Sequence, residues 1–160
     1  MGERVTKEQY EFFRSLYDEE ERTANQLEGR SKVYLGLASA ILAAILLKAD
    51  DAQNLAKALA VPRKLLFLDA LVVIVALLLV LLAVRFRNYE AVTDGRSLIQ
   101  SYAGQWPNED QFYGDRIADF AAASMANRTI NSEVATLLKW AGWLMFGAVL
   151  GLLALVILGL

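Results

Sequence analysis

Neither cysteine nor histidine occurs anywhere in the 160 residues. Their absence excludes disulfides, thiol nucleophiles, Cys/His zinc sites and imidazole acid–base chemistry. Proline occurs only twice, at Pro62 and Pro107, so long stretches carry no helix breaker. No basic run of five residues is present and the net charge is −2, which gives no reason to expect a nucleic-acid surface. Strand-like alternation, internal repeats and low-complexity tracts are also missing. The first thirty residues contain no apolar core, so a cleaved signal peptide is not expected. The start Met1-Gly2-Glu3-Arg4-Val5-Thr6 fits the loose myristoylation pattern, a match that chance produces often.

What is present is a sharp segregation. Hydrophobic residues make up 56% of the chain and charged residues 21%, and the two are pooled apart rather than interleaved. Trp140 to Leu160 is 21 residues without a charge, and Leu65 to Val84 is 20 residues with one, Asp69. At about 1.5 Å per residue each is close to the roughly 30 Å thickness of a bilayer's hydrocarbon. Arg63 and Lys64 precede the second run and Arg85 and Arg87 follow it. Val33 to Leu47 is 15 residues and reaches the lower limit for a span if Ala49 is included and Lys48 snorkels, a re-entrant or tilted interfacial helix being the alternative. The expectation is an all-α integral membrane protein with three transmembrane helices, at 33–49, 65–84 and 138–160. The first two form a hairpin (33–84), and a short interfacial helix is expected in the connection 50–64, stopped before Pro62. Trp140, Trp143 and Lys139 are the expected anchors of the third span at the headgroup level.

The remaining stretches read as helices extending from these spans into the cytoplasm. Tyr10, Phe13, Tyr17, Ala24, Leu27, Ser31 and Tyr34 follow helical spacing through residues 6–32, with Glu20 breaking the stripe once. No proline separates that stripe from the first span, and Gly29 is its one weak point. The segment 85–137 is expected to be helical from Arg85 towards Tyr102, with Gly95 after Asp94 able to bend or break it, punctuated at Gly104-Gln105-Trp106-Pro107-Asn108, then helical again through Phe112, Ile117 and Phe120 into the third span. Packing of these stripes into a small bundle gives Tyr10, Phe13, Tyr17, Leu27, Phe112, Ile117 and Phe120 as its expected interface. Lys and Arg counts set the orientation. The amino-terminal arm carries six (Arg4, Lys7, Arg14, Arg22, Arg30, Lys32), the segment after the second span six (Arg85, Arg87, Arg96, Arg116, Arg128, Lys139), and the hairpin connection four (Lys48, Lys57, Arg63, Lys64). Twelve against four places the amino terminus in the cytoplasm.

Few residues stand out as sites. Gly36, Ala40 and Ala44 repeat at four-residue spacing in the first span, as do Gly147 and Gly151 in the third, allowing close helix approach within one chain or between chains. Asp69 is the lone ionisable residue well inside a strongly apolar run; it sits either at the headgroup edge beside Arg63 or Lys64, or at a pore mouth or inter-helix contact. The carboxylates Asp18-Glu19-Glu20-Glu21 and Glu109, Asp110, Asp115, Asp119 read as solvated helix faces. The sequon Asn127-Arg128-Thr129 would lie on the unmodified cytoplasmic side. No catalytic residue, metal site or cofactor is expected, and an enzyme fits poorly.

Taken together, the charged amino-terminal helix running into a span (EEERTANQLEGRSKVYLGLASAILAAILL), the hairpin, and the asparagine-containing approach to the last span (NRTINSEVATLLKWAGWLMFGAVL) resemble the small bacterial membrane effectors of the SLATT and Pycsar transmembrane type. The matching features are Lys32 before the first span and Asn127, Asn131 and Lys139 before the last. Two spans dominate the SLATT group, so a third is a departure. The resemblance implies an inner-membrane anti-phage effector responding to a nucleotide signal, although no nucleotide-binding motif is visible. With the small-residue ladders and apolar stripes it gives an expected function: a homo-oligomer that forms a pore or disrupts the bilayer. The alternative is a membrane-anchored scaffold or accessory subunit holding a soluble protein partner on its cytoplasmic helices.

Overall fold

The computed structural model describes residues 6–47, 63–102 and 107–158, and no β-strand occurs among them. Four helices are described: α1 (Lys7–Leu47, 41 residues), α2 (Arg63–Arg85, 23 residues), α3 (Gly95–Ser101, 7 residues) and α4 (Glu109–Leu158, 50 residues). The interfacial helix expected within 50–64 lies largely outside the described residues.

Local sequence explains where these helices start. Thr6 and Gln9 form a reciprocal cap: the Gln9 N–H donates to Thr6 Oγ1 (3.3 Å) and the Thr6 N–H donates to Gln9 Oε1 (3.0 Å). Asp94 caps α3 by accepting the Arg96 N–H at 2.7 Å. Asn108 caps α4 by accepting the Gln111 N–H at 2.8 Å, with Glu109 and Asp110 in the first turn favouring its positive end. As their sequences lack breakers, α1 runs unbroken from its charged half into Val33–Leu47, and α4 runs unbroken into its apolar end. Gly29 sits exposed inside α1, and a Cβ built there meets nothing within 4 Å. Gly29→Ala is therefore expected to raise stability by up to about 1 kcal/mol, read as a higher midpoint of thermal unfolding in detergent.

The first part of one expected helix is absent, and only Gly95–Ser101 of it forms. The chain leaves α2 at Phe86 and runs without helical structure from Arg87 to Asp94, where a helix towards Tyr102 was anticipated. The physical reason is that this segment's backbone finds side-chain partners on α4, described below, in place of its own i−4 carbonyls.

The chain divides into two compact units: Met1–Gln26 with Arg87–Ser132, and Leu27–Phe86 with Glu133–Leu160. In the first, Phe120 is buried among aromatic rings, 5.8 Å from Tyr10 and 5.7 Å from Tyr17 between centroids. Tyr10 also meets Tyr113, which meets Phe112, which meets Tyr102. In the second, Ala38, Val73, Ala76, Met145 and Ala148 form the core, with Tyr34, Ile41, Leu42 and Ile45 packed against it. Tyr34 meets Gly142, and one turn further Ala38 shares that core with Met145, so α1 and α4 run in the same direction here. Asp69 near the start of α2 meets Gly151 near the end of α4, while Ala76 reaches the core at Met145, so α2 runs the opposite way.

Side-chain size is distributed inside out in this second unit. Ala38, Ala76, Ala83, Ala141 and Ala148 are buried, whereas Phe67, Leu71, Leu78, Leu81, Phe146, Leu150 and Leu153 are exposed. Two helices are long and apolar enough to cross a membrane, through Phe67–Arg85 of α2 and within Glu109–Ala154 of α4. Three such helices are not found: the apolar end of α1 is described only to Leu47, which leaves its run from Val33 at 15 residues.

Candidate functional site

The first unit is organised by two asparagines one turn apart on α4. Asn127 Oδ1 accepts the Glu90 N–H (2.9 Å) while its Nδ2 donates to the Glu90 carbonyl (3.0 Å), so the side-chain amide pairs with a main-chain residue as a strand neighbour would. Asn131 Nδ2 donates to the Glu20 carbonyl (3.0 Å) and to Glu20 Oε2 (2.8 Å), and its Oδ1 accepts from the Tyr89 hydroxyl (3.0 Å). Both asparagines are buried, and each uses its amide as donor and acceptor at once, Asn131 with two donor bonds. Arg116, also buried, continues the row. It donates to the Thr93 carbonyl (3.3 Å), pairs with Asp119 (3.1 Å) and lies 5.1 Å from the Phe120 ring centroid. The segment 87–94 is thus fastened at Tyr89, Glu90 and Thr93 by three residues of one helix, Asn131, Asn127 and Arg116. Glu20, which breaks the apolar stripe of α1, is the half-buried acceptor for Asn131.

At the edge of this unit the Tyr102 hydroxyl donates to Asp115 at 2.7 Å, and that bond holds the phenol above its ordinary range. Burial, followed by a bond to Glu109, does the same for Tyr113. Of the expected interface residues, Tyr10, Tyr17, Phe112 and Phe120 come together in the aromatic cluster and Ile117 is half-buried. Phe13 instead lines a groove of about 330 Å³ with Leu16, Glu19, Ala121, Met125 and Arg128. Leu27 belongs to the second unit, where it is buried.

In the second unit Asp69 is 9% exposed, and its carboxylate faces α4, where a Cβ at Gly151 would stand 2.9 Å from Oδ1. Oδ2 is buried and has no hydrogen-bond partner among the described residues. The side chain thus lies against α4, as the inter-helix alternative expects. Gly151 thereby leaves the ladder of open small residues. Gly36 and Gly147 remain open, with nothing among the described residues within 4 Å of a built Cβ, and Ala40 is exposed. The side chain of Ala44 lies outside the described ones. Trp140, Trp143 and Lys139 are exposed on α4, and Trp143 stacks edge-on against Phe146 at 6.2 Å. Among the described residues no three acidic side chains gather in a way that would hold a metal ion.

No protein-family model matches the chain, and no curated protein or solved structure is similar to it at a significant level.

Proposed function

We propose that this chain is an integral membrane protein that crosses the bacterial inner membrane three times and assembles with copies of itself to open or disrupt the bilayer. The observation that carries the reading is the inside-out second unit, with alanines and valines between the helices and large apolar side chains outside. In water that arrangement would leave a broad apolar surface exposed; in lipid it is the ordinary way helices pack, because small residues allow close approach and tails cover the rest. Support for a third crossing comes from Ile41, Leu42 and Ile45, which pack against the same cluster as Met145 and Ala148 in the middle of α4's apolar stretch. At about 75 Å for its 50 residues, α4 is longer than any hydrocarbon layer, so a part of it stands in water. The charge count assigns that part, and the amino terminus, to the cytoplasm.

Assembly is supported by Gly36 and Gly147, whose faces no described residue of the same chain fills. A role in phage defence follows from the SLATT-like layout, with a nucleotide signal as its expected trigger. Controlled expression in bacteria should depolarise the host, and native mass spectrometry of the nanodisc-embedded protein should give a discrete oligomer. Gly36→Leu and Gly147→Leu are expected to reduce that oligomer to monomer while leaving helicity intact. A monomeric wild-type protein, or harmless expression, would instead favour the scaffold reading. That reading has its own observation: Phe12 and Met125 are exposed in the first unit, 59% and 72%, and Met125 lines the groove with Phe13 and Leu16. Its mark would be a soluble protein retained in proportion to the chain.

A further inference from the structure

The second unit contains a groove of about 580 Å³ whose lining joins two kinds of surface. Arg30 of α1 and Lys139 of α4 supply its only charged side chains, both cationic; Leu27, Leu138, Trp143 and Phe146 supply an apolar wall. Neither cation has an ion pair or hydrogen bond among the described residues, in contrast to the neighbouring Lys32, which is held by Glu28 at 2.7 Å. The Tyr34 hydroxyl, half-buried in the groove, is likewise without a partner among them. Gly142 shapes the floor: a Cβ there would come 3.0 Å from the Tyr34 oxygen, so a larger residue would push the phenol aside.

We propose that this groove binds one anionic phospholipid, its phosphate held between Arg30 and Lys139 and a fatty chain lying along Trp143 and Phe146. The inference rests on the membrane reading above. Charge complementarity selects the sign of the ligand, since two cations without an ion pair, and no carboxylate, line the site among the described residues. The apolar wall selects a lipid over a soluble phosphate. From Lys139 to Phe146 the face of α4 descends two turns, about 10 Å, into its exposed apolar surface, where a soluble anion would find no partner. Tyr34 and the Trp143 indole are amphipathic groups suited to the ester level between headgroup and tails.

The test is native mass spectrometry of the full-length, delipidated protein in detergent, titrated with dioleoyl phosphatidylglycerol, dioleoyl phosphatidylcholine, or glycerol 3-phosphate. The expected result is half-saturation by phosphatidylglycerol at roughly a tenfold lower concentration than by phosphatidylcholine, with no binding of glycerol 3-phosphate. Arg30→Gln with Lys139→Gln should bind the two lipids alike. These two side chains are exposed, so the fold should tolerate both changes. Gly142→Leu, which fills the floor, should weaken phosphatidylglycerol to the level of the double variant. Equal binding of the two lipids by the wild type, a preference that survives in the double variant, or displacement of lipid by glycerol 3-phosphate would each overturn the proposal while leaving the membrane reading standing. Failure to retain either lipid would overturn both.

Discussion

Asn127→Ala is expected to destabilise the first unit by about 2–3 kcal/mol, because it removes both hydrogen bonds that fasten Glu90 and leaves a main-chain N–H and carbonyl without their partners. A helix would have satisfied those groups internally, so the loss is specific to a segment that gave up helical bonding. Asn127→Asp should fare no better. It keeps the acceptor for the Glu90 N–H, but it loses the donor to the Glu90 carbonyl and sets a carboxylate oxygen against it. Thr129→Ala, two positions away, serves as a control: its hydroxyl bonds only to Met125 of its own helix and is exposed. The checks are thermal unfolding of the full chain in detergent and hydrogen exchange at the Glu90 amide. Unfolding within about 0.5 kcal/mol of wild type with the amide still protected would show that the bracket is incidental.

The same residues mark the boundary of what the sequence makes legible. Helical periodicity located the α1 stripe well, since Tyr10, Phe13, Tyr17, Leu27 and Ser31 turn inward to varying degrees while Glu11, Asp18 and Glu21 stay in water. Breaker placement located the start of α4, where Asn108 caps immediately after Pro107. Residues 86–94 defeated the same reasoning. Phe86, Tyr89 and Val92 have helical spacing, and nothing local to them forbids a helix. What prevents one lies some forty positions away in Asn127 and Asn131, and a long-range polar clasp leaves no periodic trace. A signal was nevertheless present in Glu20: a carboxylate on an otherwise apolar stripe asks for a buried donor, and two asparagines at i, i+4 on another helix offer one. The small-residue ladders were visible as a pattern, but the pattern cannot distinguish Gly151, which is filled by Asp69, from Gly147, which is open.

Asp69→Leu is expected to stabilise the second unit by about 1–3 kcal/mol and to abolish the proposed effect on the bilayer. Leucine is nearly isosteric with aspartate, its two methyls replacing the two carboxylate oxygens, so the close approach to Gly151 is preserved without new branching at Cβ. What changes is polarity. A buried oxygen with no partner among the described residues costs free energy in a folded chain whether or not the carboxyl carries a proton, and an apolar replacement of the same shape removes that cost. A polar group kept in an apolar interface at such a cost is the pattern of functional residues inside membranes, where ionisable side chains mark ion paths or assembly contacts. Asp69→Asn separates shape from charge, because it retains a polar side chain of the same outline but cannot ionise. Asp69→Leu should unfold at higher temperature than the wild type in the same detergent while Asp69→Asn, which keeps the unpartnered polar group, gains less, and both should fail to depolarise expressing cells. A fall in stability by 1 kcal/mol or more on Asp69→Leu would mean that the carboxylate holds a partner and contributes to the fold. Undiminished depolarisation in both variants would remove Asp69 from the conducting or assembling surface and turn attention to the open faces at Gly36 and Gly147.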